Sequence, residues 1–448
     1  MSIPVQDAVD GLRTGGFHWR LLAIVGAIIL LDGFDIQLAA FAGPAILADW
    51  KLEPSALAPA MAAALVGMAI GTGVGGALGD RIGRRPALIA SVVWFGVVAM
   101  LTALAEDVAQ FAALRFITGL GLGAAVPNAT ALVAEWMPPK LRNYAVTLVI
   151  VAVPCGGMIG AGLASWLIPT FGWHAAFALG GALPLLLALV MLAGLPESPI
   201  FLARKQGTND RIARMLAKAG GQQAGPFAAP EIEAGGGRVY SGPLARSAIG
   251  LAVAFFASML ALYACLSWIP VLLSRAGFAM DSAIRGAMIF NLCGVLASFV
   301  AAWATPRLGS RRTLICAAAI ALLATIGWAW LIAAPDMPHG WILAGVGATG
   351  AGVLALQVML YGLAAHVFPV ECRAAGIGYS ASIGRLGAIS SAFGAGIVLG
   401  LPGGAGLFFG MIGVAIVGTA LGVILVDRHV PASREIAPND NEMVGRNA

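Results

Sequence analysis

The chain has 448 residues, of which 60% are hydrophobic and only 10% are charged. Soluble domains carry about 25% charged residues, so this composition excludes a soluble globular protein. The formal net charge of +5 leaves a nucleic-acid partner to be considered, and the positions of the basic residues decide that question below.

Twelve apolar segments, each long enough to cross a bilayer, follow one another along the chain. A transmembrane helix needs about 20 mostly apolar residues. Six segments lie before residue 200 and six after residue 245, at 20–43, 56–78, 87–105, 109–134, 144–169, 174–194, 246–273, 283–304, 312–333, 341–366, 374–399 and 403–426. The sequence therefore predicts an all-α integral membrane protein with twelve transmembrane helices.

The segments form two groups that are separated by a polar interval. Residues 201–245 are rich in glycine, proline and basic side chains, which predicts a linker with one short surface helix. We expect 1–200 to form an N-terminal six-helix half and 246–448 a C-terminal half with a short tail. Arg81–Arg85 returns 226 positions later as Arg307–Arg311, so the halves are expected to be repeats. Parallel repeats build transporters that bind their substrate near the membrane midplane and alternate access.

The basic residues predict the orientation of the chain in the membrane. With the N-terminus inside, 21 of the 26 lysines and arginines fall on inside segments, and the outside segments hold Lys51, Arg275 and Arg285. Because basic loops stay on the cytoplasmic side, we expect cytoplasmic termini and a cytoplasmic linker in a bacterial-type inner membrane. The basic excess is therefore a topology signal, and the expected partner is the lipid bilayer, with no nucleic acid.

Two aspartates, Asp32 and Asp35, interrupt the first apolar segment near its middle. Their i, i+3 spacing places both on one side of a helix. Because an acidic residue at the bilayer centre costs about 2.5–3.5 kcal/mol on insertion scales, such residues mark function. Close carboxylates repel each other and burial favours the neutral form, so we expect the pair to couple transport to protons. The alternative is that both aspartates pair with Arg115 and fix the first helix against the fourth.

Two arginines, Arg115 and Arg385, lie inside the fourth and eleventh apolar segments. A guanidinium group keeps its charge and binds a carboxylate through two parallel hydrogen bonds. We expect Arg385 to hold an anionic substrate, and Arg115 either to do the same or to serve as counter-ion of an aspartate. Weaker substrate-binding candidates, for which interhelical packing is the alternative role, are Asn128, Tyr263, Gln357 and Tyr361.

The loop Gly79–Pro86, reading Gly-Asp-Arg-Ile-Gly-Arg-Arg-Pro, resembles the signature loop of the major facilitator superfamily. Asp32–Asp35, reading Asp-Gly-Phe-Asp, resembles the first-helix motif of its aromatic acid:proton symporters, and Pro196–Pro199 and Gly384–Gly387 fit the same family. The resemblance implies a major facilitator fold and proton-coupled uptake of an aromatic carboxylic acid such as a hydroxybenzoate. Residues expected to act in the loop and in gating are Asp80, Arg81, Gly83, Arg84, Arg85, Glu135, Arg142 and His366. The second-half loop departs from this pattern, because it begins Pro306-Arg307 and lacks an acid that matches Asp80.

The expected working unit is a monomer that is driven by the proton gradient, with no cofactor and no metal. An enzyme is not expected, because the sequence offers no metal-ligand cluster, nucleophile–base set or cofactor motif. The alternatives are another organic-anion or metabolite:proton symporter, a sensor of aromatic acids, and a drug:proton antiporter. Pro154–Gly157 loosely resembles the glycine-rich motif of such antiporters.

Overall fold

Long helices make up almost all of the fold. The structure, a computed structural model, describes residues 3–205, 207–221, 226–228, 244–334, 337–368 and 373–431. Most of the predicted linker after residue 221 and the tail after residue 431 therefore lie outside the described residues. The elements are β1 (Ile3–Pro4), α1 (Val5–Asp10), α2 (Gly16–Asp49), α3 (Pro54–Ile82), α4 (Arg84–Thr102), α5 (Val108–Trp136), α6 (Pro139–Gly194), α7 (Pro199–Ala203), α8 (Asn209–Lys218), β2 (Phe227–Ala228), α9 (Ala245–Arg275), α10 (Met280–Leu308), α11 (Ser310–Ala333), α12 (His339–Val367), α13 (Arg373–Gly400) and α14 (Gly404–Leu425).

Eleven helices of the described chain are long and apolar enough to cross a membrane. One of these spans, Val151–Gly194 in α6, has 44 residues. At 1.5 Å per residue it is about 66 Å long, more than twice the thickness of the hydrocarbon core. The helix is broken at Gly172, whose φ of 81° is a left-handed conformation that glycine adopts at little cost. The two parts of α6 match the predicted segments 144–169 and 174–194, so the prediction of twelve spanning segments is confirmed.

Glycines let α3 and α5 pack with their backbones in contact. A Cβ atom added at Gly71 would lie 2.2 Å from the carbonyl oxygen of Leu120. On the facing helix, a Cβ atom at Gly123 would lie 2.2 Å from the carbonyl oxygen of Met68. Small residues permit this approach in a bilayer, where dispersion contacts and hydrogen bonds between helices replace the hydrophobic effect. Gly71 and Gly123 therefore have a packing role between α3 and α5.

The chain divides into two compact units. The first comprises Met1–Ala234, Leu266–Met288 and Ala392–Gly404, and the second comprises Gly235–Cys265, Ile289–Ser391 and Ala405–Ala448. Helices α9, α10 and α13 therefore each contribute to both units. This division does not test the two sequence halves, which stay a prediction.

Polar contacts hold the later segments of the first unit to its N-terminal helices and to each other. Arg275, at the end of α9, forms an ion pair with Glu53, which precedes α3. Its Nη1 atom donates a hydrogen bond to the carbonyl oxygen of Leu399 at 3.1 Å. The indole nitrogen of Trp268 donates to the carbonyl oxygen of Ala392 at 2.9 Å. These bonds connect α9, α13 and the start of α3 at one end of the unit.

The N-terminal segment packs against the part of the linker that the structure describes. Strand β1 pairs in parallel with β2, and Ile3 faces Phe227. The carboxylate of Asp10, at the end of α1, accepts a hydrogen bond from Arg142 Nη2 at 2.5 Å. Helix α8, with ten residues, lies within the predicted linker, where one short surface helix was expected. The strand pairing was not predicted from the sequence.

Candidate functional site

A buried ion pair joins α2 to α5 in the first unit. Arg115 Nη1 lies 2.9 Å from Asp35 Oδ2, and neither side chain is more than 1% exposed. Arg115 Nη2 also donates to the backbone carbonyl oxygen of Asp35 at 2.9 Å. The ring of Phe177, on α6, lies 5.7 Å from the guanidinium carbon, within cation–π range. Arg115 is therefore fixed on one side by Asp35 and on another by an aromatic face.

Asp32 lies one turn before Asp35, half-way along α2, and is fully buried. The ion pair and two hydrogen bonds of Arg115 go to Asp35. The alternative stated above, in which the aspartates pair with Arg115, thus describes the environment of Asp35.

Arg385 lies half-way along α13 in the second unit and is half-buried. In the described part of the chain it forms no ion pair. It lies close enough to the Tyr361 hydroxyl to act on it electrostatically, and Gln357 lies one turn from Tyr361 on α12. The ring of Tyr361 packs edge-on against Phe255 of α9, with centroids 5.0 Å apart. The second unit thus gathers a cation, two polar groups and two aromatic rings.

The backbone of α13 is held tightly against α9 on either side of Arg385. A Cβ atom at Gly387 would lie 2.1 Å from the carbonyl oxygen of Phe256, and one at Gly384 would lie 2.8 Å from the sulfur of Met259. These two glycines belong to the stretch Gly384–Gly387 on which the resemblance rests. Their close contacts fix the position of the helix from which Arg385 extends.

The remaining substrate-binding candidates differ in their surroundings. The Asn128 amide nitrogen donates to the carbonyl oxygens of Gly75 and Ala124, both at 2.8 Å, and so links α3 to α5. Gln357 is 6% exposed, and Tyr263 is half-buried on α9. The geometry of Asn128 fits the packing alternative, whereas substrate binding by Gln357 and Tyr263 stays a prediction.

The signature loop is capped by an acid from another part of the chain. Gly83 has a φ of 111°, so it ends α3 and starts α4 in a conformation that side chains rarely adopt. Glu197, which follows α6, accepts a hydrogen bond from the backbone nitrogen of Arg85 at 3.1 Å. A second bond comes from the nitrogen of Ser198 at 2.8 Å. A carboxylate at the first turn of α4 also interacts favourably with the helix dipole.

Side chains of the loop continue this network into α5. Arg84, at the start of α4, forms an ion pair with Asp80, near the end of α3, and Arg84 Nη2 lies 2.6 Å from Asp80 Oδ1. Arg84 Nε also lies 3.6 Å from Glu135 Oε1, and the Ser198 hydroxyl donates to Glu135. Arg81 is exposed. The geometry fits the expected anchoring role of Glu135, which stays a prediction.

The matching loop of the second unit has the same backbone but different partners. Gly309 adopts a φ of 80° between α10 and α11, as Gly83 does between α3 and α4. Arg307 Nη1 donates to the carbonyl oxygen of its own-helix neighbour Trp303, and its guanidinium lies 4.1 Å from the Trp303 ring centroid. Arg307 matches Arg81, and the positions that match Asp80 and Arg84 are occupied by Pro306 and Ser310, so the second loop has neither partner of the Arg84–Asp80 ion pair.

His366 is exposed at the end of α12, near the segment that follows α14. In that segment His429 Nδ1 lies 3.2 Å from the Ser310 hydroxyl, and its Nε2 atom lies 3.1 Å from the carbonyl oxygen of Val426. Burial lowers the pKa of His429, and the positive charge of Arg311 lowers it further, with a smaller contribution from His366. His366 therefore lies near the contact between His429, which follows α14, and Ser310, which starts α11.

Glu197 is the functional residue that the sequence analysis did not single out. Glu197 belongs to the stretch Pro196–Pro199, but an acid in a polar segment after a membrane helix resembles many solvated acids. Its signal was its position between two prolines, directly before the serine that starts α7. Ser198 accepts a hydrogen bond from the nitrogen of Phe201 and so caps that helix, which fixes Glu197 in place.

Comparisons with known proteins agree with this architecture. The family profile of the Major Facilitator Superfamily matches residues 25–391. The partially occluded, inward-open structure of the xylose transporter XylE from E. coli covers 93% of this chain and 99% of its own, with a TM-score of 0.76. The sequence identity of 19% means that this similarity concerns the fold.

Curated relatives are similar along nearly their whole length. A gallate transporter of Pseudomonas putida is 32% identical over 428 residues, which cover 94% of each chain. The 4-hydroxybenzoate transporter PcaK of the same organism is 34% identical over 89% of this chain and 90% of its own. A gentisate transporter of Corynebacterium glutamicum is 31% identical over 93% of this chain and 90% of its own. The resemblance found in the sequence is thus confirmed, and the chain belongs to the Major Facilitator Superfamily.

Proposed function

We propose that this protein takes up an aromatic carboxylic acid of the hydroxybenzoate type together with one or more protons. The relatives named as gallate, 4-hydroxybenzoate and gentisate transporters support the substrate class. All three acids join a carboxylate to a hydroxylated ring. Transport, rather than catalysis, is the function of the family, and the chain is a multi-pass membrane protein of that family.

The observation that carries the proposal is the environment of Arg385. A guanidinium cannot lose its proton, and placing it within a membrane helix costs about 2.5–3.5 kcal/mol on insertion scales. In the described chain no carboxylate forms an ion pair with Arg385. A substrate carboxylate would supply this missing partner with two parallel hydrogen bonds. We assign Tyr361 and Gln357, which lie near Arg385, the binding of ring hydroxyls, and we assign the ring of Phe255, which packs against Tyr361, a contact with the ring of the substrate.

Arg115 has the other role that the sequence left open. Because its charge is paired with Asp35 inside the first unit, binding a substrate anion there would require that buried pair to break. Breaking a buried pair by removing one partner costs about 3–5 kcal/mol. We therefore assign Arg115 the role of counter-ion and Arg385 the role of substrate anchor.

We also assign different roles to the two aspartates. Asp35 forms the buried ion pair with Arg115, and we assign it the role of fixing α2 against α5. Asp32 is fully buried on the adjacent turn, and we assign it the uptake and release of the transported proton. Protonation of Asp32 raises the net charge of the buried cluster, Asp32, Asp35 and Arg115, from −1 to zero. This neutralisation favours the conformational change that carries the cluster through the low-dielectric interior.

Orientation and driving force complete the proposal. Of the 26 lysines and arginines, 21 fall on segments that are inside when the N-terminus is inside. We therefore infer an inner-membrane location with both termini cytoplasmic. The proton gradient drives a monomeric unit without a cofactor.

The substrate class is tested by competition in whole cells. Cells that express the chain take up labelled 4-hydroxybenzoate, and unlabelled benzoate, gallate, gentisate, a phenylpropionate, benzamide and glucose are added in turn. We expect the aromatic acids to inhibit uptake, and the amide and the sugar to leave it unchanged. Equal inhibition by benzamide and benzoate would contradict recognition of a carboxylate, and absence of uptake above vector-only cells would refute the proposed substrate class.

A further inference from the structure

Glycines bring α2 and α6 into backbone contact beside the buried aspartates. A Cβ atom at Gly33, between Asp32 and Asp35, would lie 2.0 Å from the carbonyl oxygen of Val153. It would also lie 2.8 Å from the Val153 Cα atom. Contacts of this kind below 3.0 Å essentially never occur, so the helices would have to separate by at least about 1 Å.

The contact is reciprocal. On α6, a Cβ atom at Gly156 would lie 1.8 Å from the carbonyl oxygen of Leu30. One turn further, a Cβ atom at Gly160 would lie 2.2 Å from Cδ2 of the Phe34 ring. Leu30 lies two residues before Asp32, and Phe34 lies between Asp32 and Asp35. The two helices therefore touch at the height of the carboxylates, through glycines on both sides.

The ion pair lies on the opposite face of α2 from this contact. At 100° per residue, Gly33 and Asp35 point about 200° apart around the helix. Gly33 faces α6, while Asp35 meets Arg115 of α5. Any separation of α2 from α6 therefore presses Asp35 towards a guanidinium that is fully buried. The glycine contact thus determines how α2 is placed relative to its counter-ion.

We propose that Gly33 and Gly156 are positioning residues that set the proton affinity of the buried aspartate pair. The inference rests on the proposed proton coupling at the same site. With both glycines present, α2 has the one position at which Asp35 pairs with Arg115 and Asp32 remains buried on the next turn. A methyl group at either glycine displaces α2, changes the field at both carboxylates and alters the pH at which the pair is protonated.

The test compares alanine variants at these glycines with a matched control on the same helix. Gly26 lies seven residues before Gly33, on the same face of α2, and a Cβ atom there would have no atom within 4 Å. Gly33→Ala, Gly156→Ala and Gly26→Ala are expressed with the same tag, and the amount of each in the membrane is measured. The initial rate of 4-hydroxybenzoate uptake is then recorded as a function of pH.

At equal amounts in the membrane, we expect Gly33→Ala and Gly156→Ala to lower the maximal rate by about tenfold or more, since a 1 Å misplacement has effects of up to about a hundredfold. The pH of half-maximal uptake should move by about half a unit or more, and Gly26→Ala should match the wild type. A purely structural role would lower the amount of protein and leave the pH profile in place. An unchanged pH profile at either glycine would overturn the proposal.

A third variant, with a smaller expected steric effect, is used if Gly33→Ala and Gly156→Ala do not reach the membrane. Gly160→Ala meets the edge of the Phe34 side chain rather than backbone, so Phe34→Leu in the same chain makes room for it. We expect Gly160→Ala alone to shift the pH profile and the double variant to restore it. A double variant that keeps the full shift of Gly160→Ala would contradict the positioning role.

A substrate-free measurement separates this inference from the proposed function. Infrared difference spectra of the purified protein follow the protonated carboxyl signal as the pH is changed. If the wild type transports no aromatic acid but Gly33→Ala or Gly160→Ala still moves this titration, the proposed substrate is wrong and the positioning role holds. If transport is confirmed and the titration does not move in either variant, the positioning role is refuted.

Discussion

Replacing Arg385 by glutamine tests the substrate anchor. The change removes the positive charge from the middle of α13 but keeps a side chain of similar length that can donate hydrogen bonds. A hydrogen bond to a charged group contributes about 1.5–3 kcal/mol net, and 1.4 kcal/mol corresponds to a factor of ten. Because Arg385 is half-buried, the lower part of this range applies. We therefore expect the inhibition constant of unlabelled 4-hydroxybenzoate to rise by about tenfold.

The assay measures binding rather than maximal rate, because a rate also contains the conformational step. Cells take up a trace of labelled acid, and the concentration of competitor that halves uptake is determined for benzoate and for benzamide. In the wild type benzoate should compete at least about tenfold better than benzamide, and in Arg385→Gln the two should become alike. Arg385→Lys should fall between them, because lysine keeps the charge but lacks the planar fork.

The control is Arg214→Gln, an exposed arginine of α8 that donates to the carbonyl oxygen of Asp210 in its own helix. It should bind benzoate as the wild type does. Our reasoning would be refuted if Arg385→Gln retained both the wild-type inhibition constant and the preference for benzoate over benzamide.

Three further substitutions test the remaining parts of the site. Asp32→Asn should abolish pH-driven accumulation of the substrate while exchange of internal for external substrate continues, because exchange needs no net proton transfer. Both activities are measured in proteoliposomes, and equal loss of the two would contradict the role assigned to Asp32. Asp35→Asn removes the carboxylate that pairs with the buried Arg115, which should destabilise the fold by about 3–5 kcal/mol. The melting temperature of the purified protein should therefore fall, and an unchanged value would show that the pair is not structural. Gly83→Ala introduces a side chain at a residue with a φ of 111°, and its Cβ atom would lie 2.5 Å from Glu197 Oε2. At equal amounts of protein in the membrane, the initial uptake rate should drop by about tenfold or more, and a wild-type rate would contradict a role of the loop in transport.

The helices were predictable because the membrane imposes a length and a polarity on each of them. Every predicted apolar segment lies within a helix of the structure or overlaps it closely, as α3 (Pro54–Ile82) does with 56–78. The ends were less precise, since helices continue beyond the hydrocarbon core into polar residues. Thus α2 runs from Gly16 to Asp49, whereas its predicted apolar segment covers 20–43.

The charged residues inside the membrane helices were also predictable, but the partner of each one was not. A charged residue in an apolar run stands out in any sequence, so Asp32, Asp35, Arg115 and Arg385 were found at once. Which carboxylate meets Arg115 depends on the rotation of two helices whose contact joins residues 80 positions apart. Neither periodicity nor composition reports that rotation.

The contacts that hold the site in place carry even less sequence signal. Gly33 and Gly156 are two glycines among 60, and their significance lies in the backbone that each one faces. The same applies to Glu197. One of its partners is the backbone nitrogen of Arg85, more than 100 residues away in the chain, and the other is the backbone nitrogen of the adjacent Ser198. Which backbone a glycine contacts, and which backbone nitrogen atoms an acid binds, depend on how the helices are assembled, so only the structure reveals them.

Concentrative uptake in proteoliposomes tests proton-coupled transport most directly. Purified protein is reconstituted, an inward proton gradient is imposed, and the internal concentration of labelled 4-hydroxybenzoate is followed with and without a protonophore. The account predicts that the substrate rises above its external concentration, that the protonophore collapses this accumulation, and that Asp32→Asn never reaches it. Uptake that stops at the external concentration, or that persists unchanged with the protonophore, would contradict proton-coupled transport by this protein.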